Sequence, residues 1–412
     1  MPLIKPFAGL RPAPGRAAAV AAPPYDVMNE QEARAMVAGR PLSFLHISRP
    51  EVDLPPGTDP YAPAVYAKAR ENLESLCTAG VLVRDPTAGY YCYRLTMGRH
   101  VQTGLVAAAS VAAYDAGRIK KHEFTRPVKE DDRVRQIDAL NAQTGPAFLV
   151  YRATPAIDQV LTRVSAAAAE VDFTAPDGVR HELWAIADQP DIDGLTSAFA
   201  GLDALYIADG HHRSAAASRV AAARRAADPA PTGDRPYDWF LSVIFPHDQM
   251  QILPYNRLVR DLQGQTPQAF LERLAGDFTV TATAAPVQPQ GPGRFGMYLA
   301  GRWYQLDLDP ALIPADPVAR LDVSLLQDHL IAPLLGITDP RRDERIDFVG
   351  GIRGLAPLSD RVDAGEMAVA FSLHATPMDA LMAVADLGAV MPPKSTWFEP
   401  KLADGLVSHC LD

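Results

Sequence analysis

The chain has 412 residues, 48% hydrophobic and 21% charged, a balance typical of a globular protein. Two or three compact domains are expected at this length. The formal net charge of -10 argues against a broad surface for nucleic acid or anionic lipid. Three widely spaced cysteines predict neither a disulfide framework nor a zinc ribbon, and the sequence shows neither a signal peptide nor a membrane-length apolar run. We therefore expect a cytoplasmic protein with a small-molecule substrate and no nucleic-acid or membrane partner.

Residues 1–152 are predicted to form an N-terminal α+β domain. Asn29 is a suitable N-cap for a helix over residues 30–38, because acidic residues fill the first turn. Alternating and apolar runs, flanked by glycine and proline, indicate the remaining elements. These are a strand at 43–48, a helix at 61–79, a hairpin formed by 89–97 and 102–113, and a strand at 146–152.

Residues 153–262 form a predicted central segment, and residues 263–412 a C-terminal α+β domain. The central segment is expected to contain a helix at 157–169 and strands at 181–186, 202–208 and 239–245. An alanine-rich stretch at 214–227 has high helix propensity. The last domain is expected to contain a helix at 267–275 capped by Thr266, a hairpin at 295–308 and a helix at 323–335. This mixture predicts an α+β fold, with mixed sheets and packed helices.

The most informative local feature is Asp209-Gly210-His211-His212-Arg213, which lies between a buried strand and a helix. Gly210 permits a tight turn, and the first turn of the helix offers free N–H groups to an anion. His212 and Arg213 add an imidazole and a fork of donors. Asp209 can hold an amine, coordinate Mg²⁺ or act as a base. The structural alternative is a helix cap followed by two surface histidines.

Several other polar segments are candidates for the same site, each with a structural alternative such as a solvated face or a simple turn. Lys121, His122, Glu123 and Arg126 are predicted to form a polar wall for phosphate and metal. Asp26 follows a rigid Pro-Pro-Tyr turn. Asn256 and Arg257 follow the apolar strand at 239–245 and are expected at the same rim. A proline-fixed loop near the C-terminus carries Lys394, Ser395, Thr396 and Lys401, and these side chains are suited to close over a phosphate.

These segments together resemble domain-of-unknown-function family 1015, which supplies no activity. The resemblance covers essentially the whole chain. Its motifs are residues 4–7 with 10–12, residues 23–27, residues 120–123, residues 208–213 and residues 393–396.

The strand, Asp-Gly-X-His-Arg and helix also resemble the ParB/sulfiredoxin-like superfamily, which includes free-serine kinases. The resemblance implies a strand-loop-helix core whose His-Arg pair binds nucleotide phosphates. Asp209 and His212 match the aspartate and histidine of the free-serine kinases, whereas Glu30, Glu123 and Glu130 are candidates for their catalytic glutamate. His211 stands where sulfiredoxins place a cysteine. A partitioning function would need a helix-turn-helix module and a basic face, and the sequence has neither.

The primary hypothesis is a phosphotransferase that phosphorylates free L-serine, with Asp209, His212 and Glu123 as catalytic residues. The resemblance suggests Mg²⁺ as cofactor and ATP, ADP or pyrophosphate as donor. No Gly-rich P-loop is present. Two alternatives stay open: a nucleotide-binding regulatory protein, and a metal-dependent hydrolase that uses His122, His211 and His212. The oligomeric state is also open, with a homodimer as one option.

Overall fold

The computed structural model describes residues 2–412 and divides them into two compact units. The first unit comprises the described residues up to Met250 together with Pro400–Asp412, and the second is Gln251–Glu399. This division differs from the three segments expected from the sequence. Strands on either side of residue 152 pair with each other, so the boundary proposed there falls inside one sheet.

The helices of the first unit alternate with its strands along the chain. They are α1 (Ala17–Val20), α2 (Glu30–Val37), α3 (Leu45–Ser48), α4 (Pro63–Thr78), α5 (Val111–Asp115), α6 (Pro127–Leu140), α7 (Pro155–Val164), α8 (Gln189–Ala200) and α9 (His211–Ala227). The strands that alternate with them are β1 (Ile4–Lys5), β2 (Leu10–Pro12), β3 (Leu82–Arg84), β4 (Tyr90–Met97), β5 (His100–Ser110), β6 (Ile119–Lys120), β7 (Ala142–Gln143), β8 (Ala147–Tyr151), β9 (Val171–Thr174), β10 (Arg180–Ile186), β11 (Leu205–Asp209) and β12 (Trp239–Pro246).

The second unit has its own sheet and helices. Its strands are β13 (Gln251–Leu253), β14 (Tyr255–Val259), β15 (Phe278–Thr283), β16 (Arg294–Leu299), β17 (Arg302–Leu308), β18 (Ile346–Gly350), β19 (Val369–Leu373) and β20 (Trp397–Glu399). Its helices are α10 (Pro267–Leu274), α11 (Asp322–Leu326), α12 (Ala332–Leu335), α13 (Ala356–Asp363) and α14 (Met378–Asp386). A π-helical turn joins α11 to α12. The chain then returns to the first unit, where β21 (His409–Cys410) pairs with β7.

Strand polarity in the first sheet brings distant loops to one edge. The order is β6-β11-β8-β12-β5-β4-β10-β9, and β1 also pairs with β5. Because β6 and β11 are parallel, the segments that follow them emerge side by side. Since β8 runs antiparallel to β11, the loop that precedes β8 lies at this edge as well.

Helix α9 is alanine-rich because it is packed on two sides. Ala217 and Ala221 belong to the core cluster that the sheet forms with α7 and α8, while Ala216 and Val220 pack with Ile137 of α6. Larger side chains would hold α9 away from both neighbours. The tight packing fixes the position of the first turn of α9.

In the second unit, an antiparallel sheet runs in the order β15-β17-β16-β19-β14-β18. Strand β13 pairs separately with β20, in which Ile252 lies opposite Phe398. Both units therefore combine sheets with helices, and the α+β fold class is confirmed.

Most local expectations are confirmed, with one exception. Asn29 caps α2 in a reciprocal capping box with Glu32, and Thr266 caps α10. The predicted hairpins form between β4 and β5 and between β16 and β17. The prediction of a strand at 43–48 was wrong, because this segment contains the short helix α3. Alternating apolar residues in so short a run fit either structure, and here both Leu45 and Ile47 enter one core cluster.

The close approach of β5 to β12 makes Gly104 intolerant of a side chain. A Cβ at Gly104 would lie 2.7 Å from the carbonyl oxygen of Ile244 and 2.6 Å from the ring of Phe245. We expect Gly104→Ala to lower the free energy of unfolding by about 1–3 kcal/mol. The control is Gly194→Ala in α8, where a Cβ would meet nothing within 4 Å, and we expect it to be neutral or to stabilise by about 0.5–1 kcal/mol. Denaturation followed by circular dichroism measures both, and equal losses would contradict this packing.

Candidate functional site

The turn between β11 and α9 depends on Gly210. Its φ of +93° lies in the left-handed region, which costs other residues strain. A Cβ at this position would also lie 3.1 Å from the Cα of Ala147. The turn therefore requires glycine, and it places Asp209 and His211 on either side of the edge where β11 ends.

The carboxylate of Asp209 is held by three donors. Its Oδ2 accepts from Nζ of Lys401 at 3.1 Å, while its Oδ1 accepts from the backbone N–H of Gly210 at 2.7 Å and from Nη2 of Arg213 at 3.4 Å. Burial alone would raise the pKa of Asp209, but the charges of Lys401 and Arg213 outweigh it and hold this pKa well below its usual range. Asp209 is therefore ionised at neutral pH.

Arg213 joins segments that are far apart in sequence. Its guanidinium donates from Nη1 to the carbonyl oxygen of Pro146, and its Nη2 lies 3.4 Å from Asp209 and 3.9 Å from Asp26. The side chain is only 10% exposed. Burial works against the charged form, but the two carboxylates raise the pKa of Arg213 above its ordinary value, so the group stays cationic.

His211 and His212 fasten the loop after β6 to the start of α9. The Nε2 atom of His211 accepts from the backbone N–H of His122 at 3.4 Å, and Nε2 of His212 accepts from the N–H of Arg126 at 3.0 Å. An accepting Nε2 implies that each neutral ring carries its proton on Nδ1. Burial lowers the pKa of both imidazoles, that of His211 well below its usual range. The neutral form that these bonds require is thus favoured.

His122 is buried against His211, with its ring edge-to-face at a centroid distance of 4.5 Å. Burial lowers the pKa of His122 to about 4. The metal site on His122, His211 and His212 that the sequence left open is not formed. Among the residues that the structure describes, no group of three or more histidine, cysteine, aspartate or glutamate side chains is placed to hold a metal ion.

The other predicted residues of the loop after β6 lie around these histidines. An Oε2 atom of Glu123 is 3.8 Å from Nδ1 of His211. Nζ of Lys121 lies over the ring of Tyr114, 4.2 Å from its centroid, and the side chain of Arg126 is exposed. The structure therefore brings this loop and Asp26 together with the Asp209–Arg213 segment.

The remaining predicted residues belong to the second unit. Asn256 and Arg257 are buried in β14, and Ser395 is buried in the loop before β20. Lys394 and Thr396 flank Ser395 in that loop, where Lys394 is exposed and Thr396 is partly buried. These residues form a cluster within their own unit.

A pocket in the first unit contains residues that were not selected from the sequence. It has about 480 Å³ of empty space, part of it open to solvent, and Arg213 is on its wall. Arg133 and Asp404 line it as well, and the guanidinium of Arg133 stacks 3.9 Å from the ring centroid of Tyr25. Arg133 stood in a charged run that looked like a solvated face. Nothing in the local sequence marks Asp404, which reaches the pocket because its backbone bonds to that of Ala22.

The sequence model for proteins of unknown function DUF1015 matches residues 4–324. The chain belongs to this family. The resemblance drawn from the sequence motifs is thereby confirmed. No curated protein is significantly similar to the sequence of this DUF1015 protein.

Several solved structures share weak similarity with the DUF1015 chain, each over 73% of its length. A free serine kinase in complex with AMP is 14% identical, with 92% of that chain covered and a TM-score of 0.35. SbnI with a C-terminal truncation, from Staphylococcus aureus, is 12% identical, with 85% covered and a TM-score of 0.37. A conserved hypothetical protein from Pyrococcus furiosus is 15% identical, with 94% covered and a TM-score of 0.34. Similarity at this level assigns neither a fold nor an activity.

No helix within residues 2–412 of the DUF1015 protein combines the length and the apolar character that crossing a bilayer requires.

Asp404 brings a buried carboxyl group to the pocket of this DUF1015 protein. It is 2% exposed, and burial raises its pKa to about 7, with Asp26 adding to the shift and Arg213 opposing it. An unfolded aspartate titrates near pH 4, at about 3.9. The folded protein therefore binds this proton more tightly than the unfolded chain. It follows that the contribution of Asp404 to stability falls as the pH rises from about 4 through 7.

We expect Asp404→Asn to remove this pH dependence. Asparagine resembles the protonated acid, so the unfolding temperature of the variant relative to wild type should increase from about pH 5 to about pH 8. Differential scanning calorimetry over this range measures the difference. A difference that stays constant with pH would contradict a buried Asp404 that titrates near neutrality.

Proposed function

We propose that this DUF1015 protein is a phosphotransferase, which transfers a phosphoryl group from a nucleotide or pyrophosphate to the hydroxyl of free L-serine. The observation that supports the proposal most is the start of α9. Within the described part of the chain, the backbone N–H groups of His211, His212 and Arg213 have no acceptor. Free N–H groups and the positive end of a helix dipole together favour a phosphate.

The side chains near this turn add the charge and donors that phosphoryl transfer requires. Arg213 and Lys401 both contact Asp209, so two cations stand beside the first turn of α9. The neutral ring of His212 keeps a proton on Nδ1, which is available to donate to a phosphoryl oxygen. Positioned donors of this kind stabilise the charge of the transferring group without reorganising during the reaction.

Asp209 is better suited to orient a ligand than to accept a proton. A carboxylate whose pKa is held far below neutrality is a weak base. Asp209 therefore serves as a fixed negative group that positions Lys401, Arg213 and the amine of an amino-acid acceptor.

A group other than Asp209 must accept the proton of the acceptor hydroxyl. As the hydroxyl oxygen bonds to phosphorus, the bond from phosphorus to the bridging oxygen of the donor breaks, and the proton passes to a carboxylate. Glu123 is proposed for this role because it lies beside His211 at the turn. Asp404 is a second option, since its pKa of about 7 suits a base at neutral pH.

Mg²⁺ is proposed as the cofactor of this reaction, since metal ions commonly neutralise the charge of transferring phosphates. Asp26 and Asp209 both face Nη2 of Arg213, and Mg²⁺ commonly binds one or two carboxylates together with the phosphates of its ligand. Asp26, whose side chain is 43% exposed, would hold the ion together with the phosphates, and the ion supplies positive charge to them when bound. The choice of serine as acceptor rests on the resemblance of residues 209–213 to the motif of free-serine kinases.

The first test of the proposal is an assay for O-phosphoserine by mass spectrometry. Purified protein is incubated with Mg²⁺, L-serine and, in parallel, ATP, ADP or pyrophosphate. We expect product with at least one donor, and a rate reduced by on the order of 10²–10³ in Asp209→Asn and His212→Ala, because each removes a group that fixes the phosphoryl site.

The matched control for this assay is Asp203→Asn, which changes an exposed aspartate just before β11. It should keep the wild-type rate. Absence of phosphoserine with every donor would refute the serine-kinase proposal. Nucleotide hydrolysis that is indifferent to serine would instead favour a nucleotide-binding regulatory protein.

Lys401 offers a separate test, since its Nζ donates directly to the carboxylate of Asp209. Lys401→Met removes the cation that bonds to Asp209, and we expect phosphoserine formation to slow by on the order of 10². Lys68→Met is the control, because Lys68 makes a surface ion pair with Glu71. If the two variants show the same rate, Lys401 has no part in the reaction.

A further inference from the structure

In the part of the chain that the structure describes, Arg257 is a buried cation without a counter-ion. It lies in β14 and is 4% exposed. Its guanidinium donates to the carbonyl oxygen of Tyr255 and, at 3.1 Å, to that of Lys394, and it lies over the ring of Phe348. None of the described residues 2–412 places a carboxylate within ion-pair distance of this side chain.

This arrangement is energetically unfavourable for the protein alone. Buried charges are normally paired, because the cost of removing an ion from water is large. The two carbonyl groups satisfy hydrogen bonds but supply no negative charge. Burial accordingly lowers the pKa of Arg257 to about 10. An anion from outside the chain would provide the missing charge.

Lys394, whose carbonyl oxygen accepts from Arg257, carries a second positive charge. Lys394 is exposed, and its Nζ lies 3.3 Å from the hydroxyl of Tyr255 and 5.2 Å from the centroid of that ring. Side chains two residues apart on a strand share a face, so Tyr255 and Arg257 point to the same side of β14. Tyr255 is therefore flanked by two positive groups.

The loop that carries Lys394 is held in a fixed conformation. Lys394 has a φ of +58°, which is strained for a residue with a side chain. The hydroxyl of Ser395 donates to the carbonyl oxygen of Pro392 at 2.6 Å, and the hydroxyl of Thr376 donates to that of Ser395 at 2.9 Å. These bonds keep the carbonyl of Lys394 against Arg257.

Both cations retain donors for a ligand. A guanidinium has five N–H groups and an ammonium has three, whereas Arg257 and Lys394 use only some of theirs within the protein. Asn256 does not share this face, because side chains alternate along a strand and its Oδ1 instead accepts from the N–H of Leu373.

We propose that Arg257 and Lys394 form an anion-binding site within the second unit, and that its occupant is a phosphate group. Two cations match the double charge of a phosphate better than the single charge of a carboxylate, and a guanidinium fork suits phosphate oxygens. The site is built from residues of the second unit alone. Its existence therefore does not depend on the phosphotransferase activity proposed for the first unit.

The test measures how strongly a bound anion protects Lys394 from chemical labelling. Full-length protein is acetylated at its lysines with and without inorganic phosphate or pyrophosphate, at constant ionic strength, and labelling is measured peptide by peptide by mass spectrometry. We expect either phosphate compound to reduce labelling of Lys394 about fivefold, as a bound anion covers its Nζ. Lys68 is the internal reference, and its labelling should not change. Acetate at the same concentration should give no protection.

Substitutions at Arg257 test whether the protection of Lys394 depends on this residue. Arg257→Met should abolish it, and Arg257→Lys, which keeps the charge but loses the fork, should weaken it if the methionine variant does not fold. Arg302→Ala, at an exposed arginine of β17, is the matched control and should leave the protection intact. Asp209→Asn should also leave it intact, which separates this site from the proposed reaction.

Three outcomes would overturn the proposal. They are the absence of protection by either phosphate compound, equal protection by acetate, and protection that persists in folded Arg257 variants.

Discussion

The guanidinium of Arg213 is the contact on which the geometry of the first unit's site depends. It donates hydrogen bonds to the carbonyl oxygen of Pro146, in the loop before β8, and to the carboxylate of Asp209, at the end of β11. It also lies near Asp26 of the N-terminal turn. A buried guanidinium is stable only where such acceptors surround it. The same group that lines the pocket therefore also holds three distant segments in place.

Strand direction and imidazole chemistry complete this arrangement. The parallel pairing of β6 with β11 sets the loop of Glu123 beside α9, and the neutral histidines 211 and 212 then bind the backbone of that loop.

The buried arginines of the two units differ in how their positive charge is balanced. Arg213 is balanced by carboxylates of the chain, whereas the acceptors that the described residues offer Arg257 are neutral carbonyl groups. The first site is therefore preorganised, and the second is proposed to take its negative charge from a ligand.

The sequence could predict the features that depend on residues close together in the chain. The capping box of Asn29, the N-cap of Thr266 and the strand-glycine-helix turn at Gly210 involve residues a few positions apart. The pocket residues depend on non-local pairing. Asp404 reaches its place through a bridge to Ala22, and Lys401 arrives with the same returning segment, which no local pattern specifies. The two units differ from the three predicted segments for the same reason, since β8 and β12 pair across the boundary predicted at residue 152.

The central claim is that the first turn of α9 binds the phosphates of the donor. Hydrogen–deuterium exchange with and without ATP and Mg²⁺ tests it directly, because the N–H groups of residues 211–213 find no acceptor among the described residues and depend on a ligand for protection. Slower exchange is expected in peptides that contain these residues when nucleotide is bound. Unchanged exchange there, at nucleotide concentrations that saturate the protein, would contradict it.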